Sequence, residues 1–243
     1  MNQVTIKNPM ALPFFYEENL SASGSGCFFL TEDTSRHIVQ VLRLKEGEQI
    51  MITNGKGQML TVEISIANKK KTEVKIKKAE FVSQPLPKVS IAISFIKNRN
   101  RFEWFLEKAT EIGISSIIPL LCNRTEKTQF REERMRTILI SAMIQSRQVW
   151  LPELGEPIKI DQLINSDTSD QKFIAHCVEE EKKELKNLNF DKSASKIILI
   201  GPEGDFTNEE ISLALQNFYI PVSLGETRLR TETAGLVAAV LLK

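Results

Sequence analysis

Two stretches late in the chain concentrate the residue types that could do chemistry. In Lys196-Ile197-Ile198-Leu199-Ile200-Gly201-Pro202-Glu203-Gly204-Asp205-Phe206-Thr207-Asn208-Glu209-Glu210, a buried-type strand runs into a glycine-bounded loop and then a helix. Thr207 and Glu210 have the spacing of a capping box, which satisfies free amides at a helix start. Gly201 and Gly204 let the backbone approach a ligand closely, and open α/β sheets bind ligands at the carboxyl ends of their strands. The spacing is neither the dinucleotide glycine fingerprint nor a phosphate loop. An ordinary strand-to-helix turn would show the same shape, so both readings stay open. The second stretch is Val222-Ser223-Leu224-Gly225-Glu226-Thr227-Arg228-Leu229-Arg230-Thr231-Glu232-Thr233-Ala234-Gly235. It follows a short strand begun after Pro221. Thr231 is placed to cap the last helix, with Glu232 near its positive end. A plain core helix does not explain the dense approach of Arg228, Arg230 and Glu232. His37 and His176 have no second histidine nearby, so no metal is expected.

Those loops need a rigid sheet to hold them. Val89-Ser90-Ile91-Ala92-Ile93 reads as a buried strand. Residues 101–112 read as a helix, with Phe102, Phe105, Leu106 and Ala109 at helical spacing and Gly113 as its stop. Residues 114–121 read as a strand, 132–149 as a helix, and Phe173-Ile174-Ala175 and Ile197-Ile198-Leu199-Ile200 as short apolar strands. This alternation predicts an α/β fold, a parallel sheet with helices on both faces. The last helix, through Leu236-Val237-Ala238-Ala239-Val240-Leu241-Leu242, is apolar nearly all round and must be buried on several sides. It is either tucked into its own domain or packed against a second subunit.

The first third has another rhythm. Cys27-Phe28-Phe29-Leu30 reads as a strand. Thr31 caps a helix with Asp33 and Thr34 in its first turn, running over 35–42 with Ile38, Val41 and Leu42 on one face. Residues 49–53 form a strand, Asn54-Gly55-Lys56-Gly57 a hairpin turn, and 59–66 and 72–81 alternating strands around the polar turn Asn68-Lys69-Lys70-Lys71. A small half-open β-barrel is expected over 1–83. Gln84-Pro85-Leu86-Pro87 reads as a linker, leaving 84–243 as a second domain.

With 42% hydrophobic and 26% charged residues among 243, the composition is that of a folded protein. Cys27, Cys122 and Cys177 are odd in number and far apart, which argues against disulfides and zinc and suits a reducing compartment. No apolar run approaches the roughly 20 residues of a membrane span, and the first residues show no signal region. A soluble, cytoplasmic protein is expected. The net charge of +1 is uneven: +2 over residues 1–83, +5 over 84–150 and −6 over 151–243. A polyanion would be drawn to the first 150 residues, although ordinary surface variation gives the same numbers.

Gly201-Pro202-Glu203-Gly204, then Leu224-Gly225, then Leu229-Arg230-Thr231-Glu232-Thr233-Ala234 resemble the small-subunit (16S) ribosomal RNA uridine-N3 methyltransferases of the SPOUT superfamily. The resemblance covers nearly the whole chain. His37-Ile38-Val39-Gln40-Val41-Leu42-Arg43 resembles the family's PUA-like barrel, and Lys108-Ala109-Thr110-Glu111-Ile112-Gly113, Pro119, Arg124, Gln145-Ser146 and Pro152 its central signatures. The chain departs at Ile144, where an acidic residue is common, and at Arg147-Gln148, where a Gly-Arg pair is common. Arg147 is the candidate substitute for that arginine.

The resemblance implies a trefoil-knotted catalytic domain, which topology rules would never predict, and a homodimer. It implies that S-adenosylmethionine is held largely by backbone groups of Leu199, Ile200, Gly201, Pro202, Glu203 and Gly204 on one side and Leu224, Gly225, Leu229, Arg230 and Thr231 on the other. The implied reaction is methyl transfer to N3 of a uridine in ribosomal RNA of the small subunit, which needs no metal. Uracil N3 carries a proton, so the site must remove it or stabilise charge on the neighbouring carbonyls. N3 lies on the pairing edge, so the uridine must be unpaired or extruded. Arg230 is the candidate stabiliser and Glu232 the candidate base, unless the two simply cap the helix and pair with each other. Arg36, Arg43, Lys97, Arg99, Arg101 and Arg124 are the candidate RNA contacts, through phosphates. Methylation of another RNA or of a ribose oxygen, and non-catalytic RNA binding, are the alternatives.

Overall fold

Alternating apolar residues set the first of two units, Met1–Ser83 and Gln84–Lys243, in the computed structural model, which describes residues 12–20, 26–126, 129–178 and 182–243. The first unit contains β1 (Phe14–Tyr16), β2 (Cys27–Phe29), α1 (Glu32–Arg36), β3 (Gln49–Thr53), β4 (Gln58–Ile66) and β5 (Glu73–Phe81). Among the described residues these strands form a five-stranded sheet ordered β1-β3-β4-β5-β2. Pairing is antiparallel except between β1 and β3. Ile50, Ile52, Leu60, Val62, Ile64 and Val74 turn the same way and form its core, as period-2 alternation requires. The Glu17 carboxylate accepts the Thr31 amide at 3.1 Å and hydroxyl at 2.8 Å. That bond joins the segments following the two edge strands, so the sheet is curled.

The helix expected through residue 42 is corrected here. α1 stops at Arg36 and a π-helical turn, His37–Val41, follows, with the Leu42 amide reaching the His37 carbonyl at 3.0 Å. The wider turn rotates the later side chains. Ile38 is fully buried, while Val41 and Leu42 are 66% and 41% exposed.

The second unit runs β6 (Val89–Ser94), α2 (Arg99–Ile112), β7 (Ser116–Leu121), α3 (Glu132–Gln145), β8 (Glu153–Leu154), β9 (Ile158–Lys159), α4 (Ile160–Ser166), β10 (Gln171–Ala175), β11 (Lys183–Glu184), β12 (Lys196–Ile200), α5 (Asn208–Gln216), β13 (Ile220–Ser223) and α6 (Thr231–Leu242). Among the described residues the sheet is eight-stranded, ordered β11-β13-β10-β12-β6-β7-β8 with β9 beside β7, and every pairing is parallel. Successive residues of a strand feed opposite layers. Ile91, Ile93, Ile198 and Ile200 pack with Phe102 and Phe105 of α2, Leu139 of α3 and Ala238 of α6. Ala92, Ile197 and Leu199 pack with Ile164 of α4 and Ile211 of α5.

Gly113 ends α2 at φ 84°. The Gln148 amide then caps that helix, donating to the carbonyls of Thr110 at 2.7 Å and Glu111 at 3.1 Å. This gives Gln148 of the departing Arg147-Gln148 pair a structural task. α3 stops at Gln145, short of the expected 149, and Arg147 takes a left-handed φ of 56°. α6 returns over β6 and β12 beside α2. Gly235 permits this: a Cβ there would lie 2.7 Å from Phe105 Cε2 and 2.9 Å from Ile93 Cδ1. Buried residues of α6 (Thr231, Glu232, Gly235, Ala238, Ala239, Leu242) follow one helical face, whereas Val240 is 61% exposed. Burial is therefore less complete within this unit than the apolar sequence of α6 suggests. No helix among the described residues is long and apolar enough to cross a membrane.

Candidate active site

Register decides where the loops go. Ala175, the last residue of β10, stands opposite Ile200 of β12 and Val222 of β13. Three parallel strands therefore release their chains at one level, and the following loops meet above the sheet edge, where α/β sheets bind ligands. Two adjoining cavities lie there. One, of about 300 Å³, is walled by Ile200, Gly201, Pro202, Glu203 and Asp205 on one side and Arg228, Leu229, Arg230, Thr231 and Ala234 on the other. The other, of about 400 Å³, is walled by Val222 to Leu229 with His176 and Lys182. Ala175, Cys177, Arg228, Leu229 and Ala234 border both.

The two loops are bonded to each other. Thr231 Oγ1 donates to the Gly201 carbonyl at 3.1 Å. This corrects the reading of Thr231 as a cap: Arg230 occupies the N-cap position without a side-chain bond, and Thr231 is the first helical residue. The capping box of Thr207 and Glu210 is complete, and Glu210 has a second task. Its other oxygen accepts the Asn123 amide at 2.8 Å, tying the first loop to the one after β7. Arg124, in that loop, donates to the carbonyls of Gly204 at 2.7 Å and Phe206 at 3.2 Å. Glu203 accepts the Lys97 amide at 3.1 Å. Asp205, at φ 63°, accepts the Cys177 amide at 2.8 Å. The loop over residues 201–210 is thus held at both flanks.

Of the residues expected to bind a cofactor, Ile200, Gly201, Pro202, Glu203, Leu224, Gly225, Leu229, Arg230 and Thr231 line the cavities. Leu199 does not; it is fully buried in the layer under α4 and α5. Gly204 does not either. A Cβ on it would meet Arg124 Cδ at 3.3 Å, outside the cavities. Sequence reasoning missed Ala175, His176 and Cys177, because only the strand order places β10 between β12 and β13.

Arg230 and Glu232, expected as stabiliser and base with a mutual pair as the alternative, do not pair with each other. Arg230 lines the first cavity, is exposed, and has no ion-pair partner among the described residues. Glu232 pairs instead with Arg101 at 3.6 Å, with its side chain 7% exposed, and it lines neither cavity. Beside the first cavity lies an open groove of about 530 Å³ lined by Lys97, Asn98, Arg99, Asn100, Arg101 and Glu203. Three of the expected RNA contacts share it. Lys97 Nζ pairs with Glu126 at 2.9 Å, a hydrogen bond that raises its pKa above the ordinary lysine value. Arg99 donates to Gln129 at 2.6 Å. Arg124 is spent on the loop carbonyls. In the first unit, Arg36 pairs with Glu32 at 2.8 Å on its own helix, and Arg43 is exposed at φ 55°. Burial and the charge of Glu210 push the Cys122 thiol up to about 12. Among the described residues no group of three or more His, Cys, Asp or Glu could hold a metal.

A parallel sheet with two bonded loops at its carboxyl edge, next to a basic groove, defines a ligand-binding α/β domain suited to a polyanionic substrate. Residues 83–243 match the family described as RNA methyltransferase domain, and residues 30–77 the RNA methyltransferase PUA domain. The chain belongs to this RNA methyltransferase family. It is 32% identical to "Ribosomal RNA small subunit methyltransferase E" of Rickettsia conorii, over 86% of each chain. Among solved structures it is similar to a "probable rRNA-methyltransferase" of Porphyromonas gingivalis, with 35% identity, TM-score 0.87, and 94% and 95% of the two chains covered. It is also similar to the ribosomal RNA small subunit methyltransferase E of Neisseria gonorrhoeae bound to S-adenosyl methionine, with 27% identity, TM-score 0.81, and coverage of 94% and 95%.

Proposed function

We propose that the chain methylates N3 of a uridine in small-subunit (16S) ribosomal RNA, using S-adenosylmethionine. The observation that carries this reading is the bond between Thr231 and Gly201, which closes two loops over a pair of cavities at the sheet edge. Family membership and the cofactor-bound neighbour support it. The residues fit the cofactor. Ile200, Leu229 and Ala234 offer apolar walls for an adenine and a methylene chain, and the loops after β12 and β13 offer backbone donors and acceptors. The cavity volumes fall within the few hundred Å³ usual for small-molecule sites.

When bound, S-adenosylmethionine supplies an electrophilic methyl group on a sulfonium. To accept that methyl group, uracil N3 must first give up its proton to water, and the neutral thioether would be the leaving group. Loss of that proton puts negative charge on the uracil carbonyls. Arg230 lines the first cavity and forms no ion pair with a described residue, so it is assigned the task of stabilising that charge. Glu232 is assigned to holding α6 against Arg101, since its carboxylate is buried in that pair. The groove at residues 97–101 is assigned to phosphates flanking the target, and Arg36 and Arg43 of the PUA-like unit to further phosphate contact. The exposed Val240 side chain on α6 supports a homodimer. The free thiols Cys27, Cys122 and Cys177 support a cytoplasmic setting.

The test is mass spectrometry of nucleosides from the 16S ribosomal RNA of cells lacking this protein. The expected outcome is loss of 3-methyluridine, restored by the wild-type gene and not by Arg230→Ala. Undiminished 3-methyluridine would reject the reading.

A further inference from the structure

Glu203 belongs to two places at once. It lines the first cavity, and it lines the basic groove. Its Oε1 accepts the backbone amide of Lys97 at 3.1 Å, at the start of the segment forming the groove floor. From there the path is fixed: Asn98 caps α2 and accepts the Asn100 amide at 3.0 Å, and Arg101 reaches Glu232 in the first turn of α6 at 3.6 Å. Residues 97–101 are therefore fastened at one end to the loop after β12 and at the other to the helix after the second loop. A carboxylate beside Lys97, Arg99 and Arg101 weakens the attraction of that groove for a polyanion. Its presence there is electrostatically adverse for phosphate binding, so its value is positional.

We infer that Glu203 is a positioning residue that holds the basic groove in register with the cofactor cavity, so that a phosphate seated in the groove places its neighbouring nucleotide at the cavity mouth. This rests on the assignment of the groove to RNA phosphate. Displacing a reacting base by about 1 Å costs on the order of 100-fold in rate, so the hydrogen bond to Lys97 acts on turnover of RNA rather than on cofactor affinity.

Glu203→Gln removes the charge and keeps an acceptor oxygen; Glu203→Ala removes both. The substrate is small ribosomal subunits from cells lacking the enzyme, and S-adenosylmethionine affinity is measured by calorimetry on the same samples. The expected result for Glu203→Ala is a fall of about tenfold or more in kcat/KM for RNA, with cofactor Kd changed by less than about threefold. Glu203→Gln is expected to recover most of that loss, with a KM for RNA no higher than wild type. Equal defects in the two variants overturn the proposal, because the charge would then be what matters. A loss of cofactor affinity matching the loss of RNA turnover also overturns it. Arg99→Ala tests the underlying assignment separately. If it leaves RNA affinity and its salt dependence at wild-type values, the groove does not take phosphate. If it weakens RNA binding while Glu203→Ala changes nothing, only the role of Glu203 fails.

Discussion

Arg230 stands at the N-cap of α6 with its guanidinium unpaired among the described residues and on the cavity wall. A charge held there without an ion pair to a described residue acts on whatever enters. Arg230→Ala is expected to lower kcat by about 100-fold, the usual cost of removing one electrostatic stabiliser, with little change in calorimetric affinity for S-adenosylmethionine. Equal losses in both would assign it to binding instead. The cysteines give a second check. Cys177 borders both cavities, whereas the Cys122 thiol is buried and pushed up to about 12, so it stays protonated and inert at pH 8. Alkylation should modify Cys177 and the exposed Cys27 and spare Cys122, and S-adenosylmethionine should protect Cys177 alone; unprotected labelling of Cys177 at saturating cofactor would displace the proposed pocket. The cavity-lining residue types were largely legible in the sequence because they lie on two short loops. Their partners were not. The bond from Arg124 to the Gly204 carbonyl was not readable, because the two lie 80 positions apart. Glu232 read as a candidate base, with pairing to Arg230 the alternative, because its partner Arg101 is remote in sequence.

At the scale of elements, the packing of α6 decides whether the site exists. Gly235→Ala would place a methyl group against Phe105 and Ile93 at distances real contacts do not show. Overpacking of this kind costs about 1–3 kcal/mol, and displacement of α6 also moves Thr231 from the Gly201 carbonyl. Urea unfolding should show the lost stability, and calorimetry weaker cofactor binding; a variant with wild-type values in both would mean that α6 is free to shift. Arg124→Ala should raise the cofactor Kd by about tenfold through loss of charge-assisted hydrogen bonds, although Arg124 lines neither cavity. An unchanged Kd would show that Glu210 holds the loop unaided. Periodicity made the long elements readable: α2 and the strands β6 and β12 show their spacing plainly. The π-helical turn after α1 was invisible, since inserting one residue into a turn leaves no mark on composition. The two-residue strands β8, β9 and β11 are too short to carry any alternation.

For the whole molecule, the groove proposed to take phosphate, at residues 97–101, lies within the stretch 84–150 that carries excess basic charge. Affinity for small subunits should fall linearly on a log–log plot against salt, and a flat response would exclude phosphate contacts. Fold class was readable from strand–helix alternation, but strand order was not, because hydrophobic pattern says which residues are buried and not which strands are neighbours. The order matters beyond geometry. The cavity walls come from β10, β12 and β13 together with the start of α6, so a chain emerging from the ribosome has nowhere to put a methyl donor until α6 has docked. The donor then binds only finished molecules and by mass action adds about 2.7 kcal/mol to their stability at a hundred times its Kd. Starving a cell of methyl donor would thus cost it folded enzyme as well as methylated RNA.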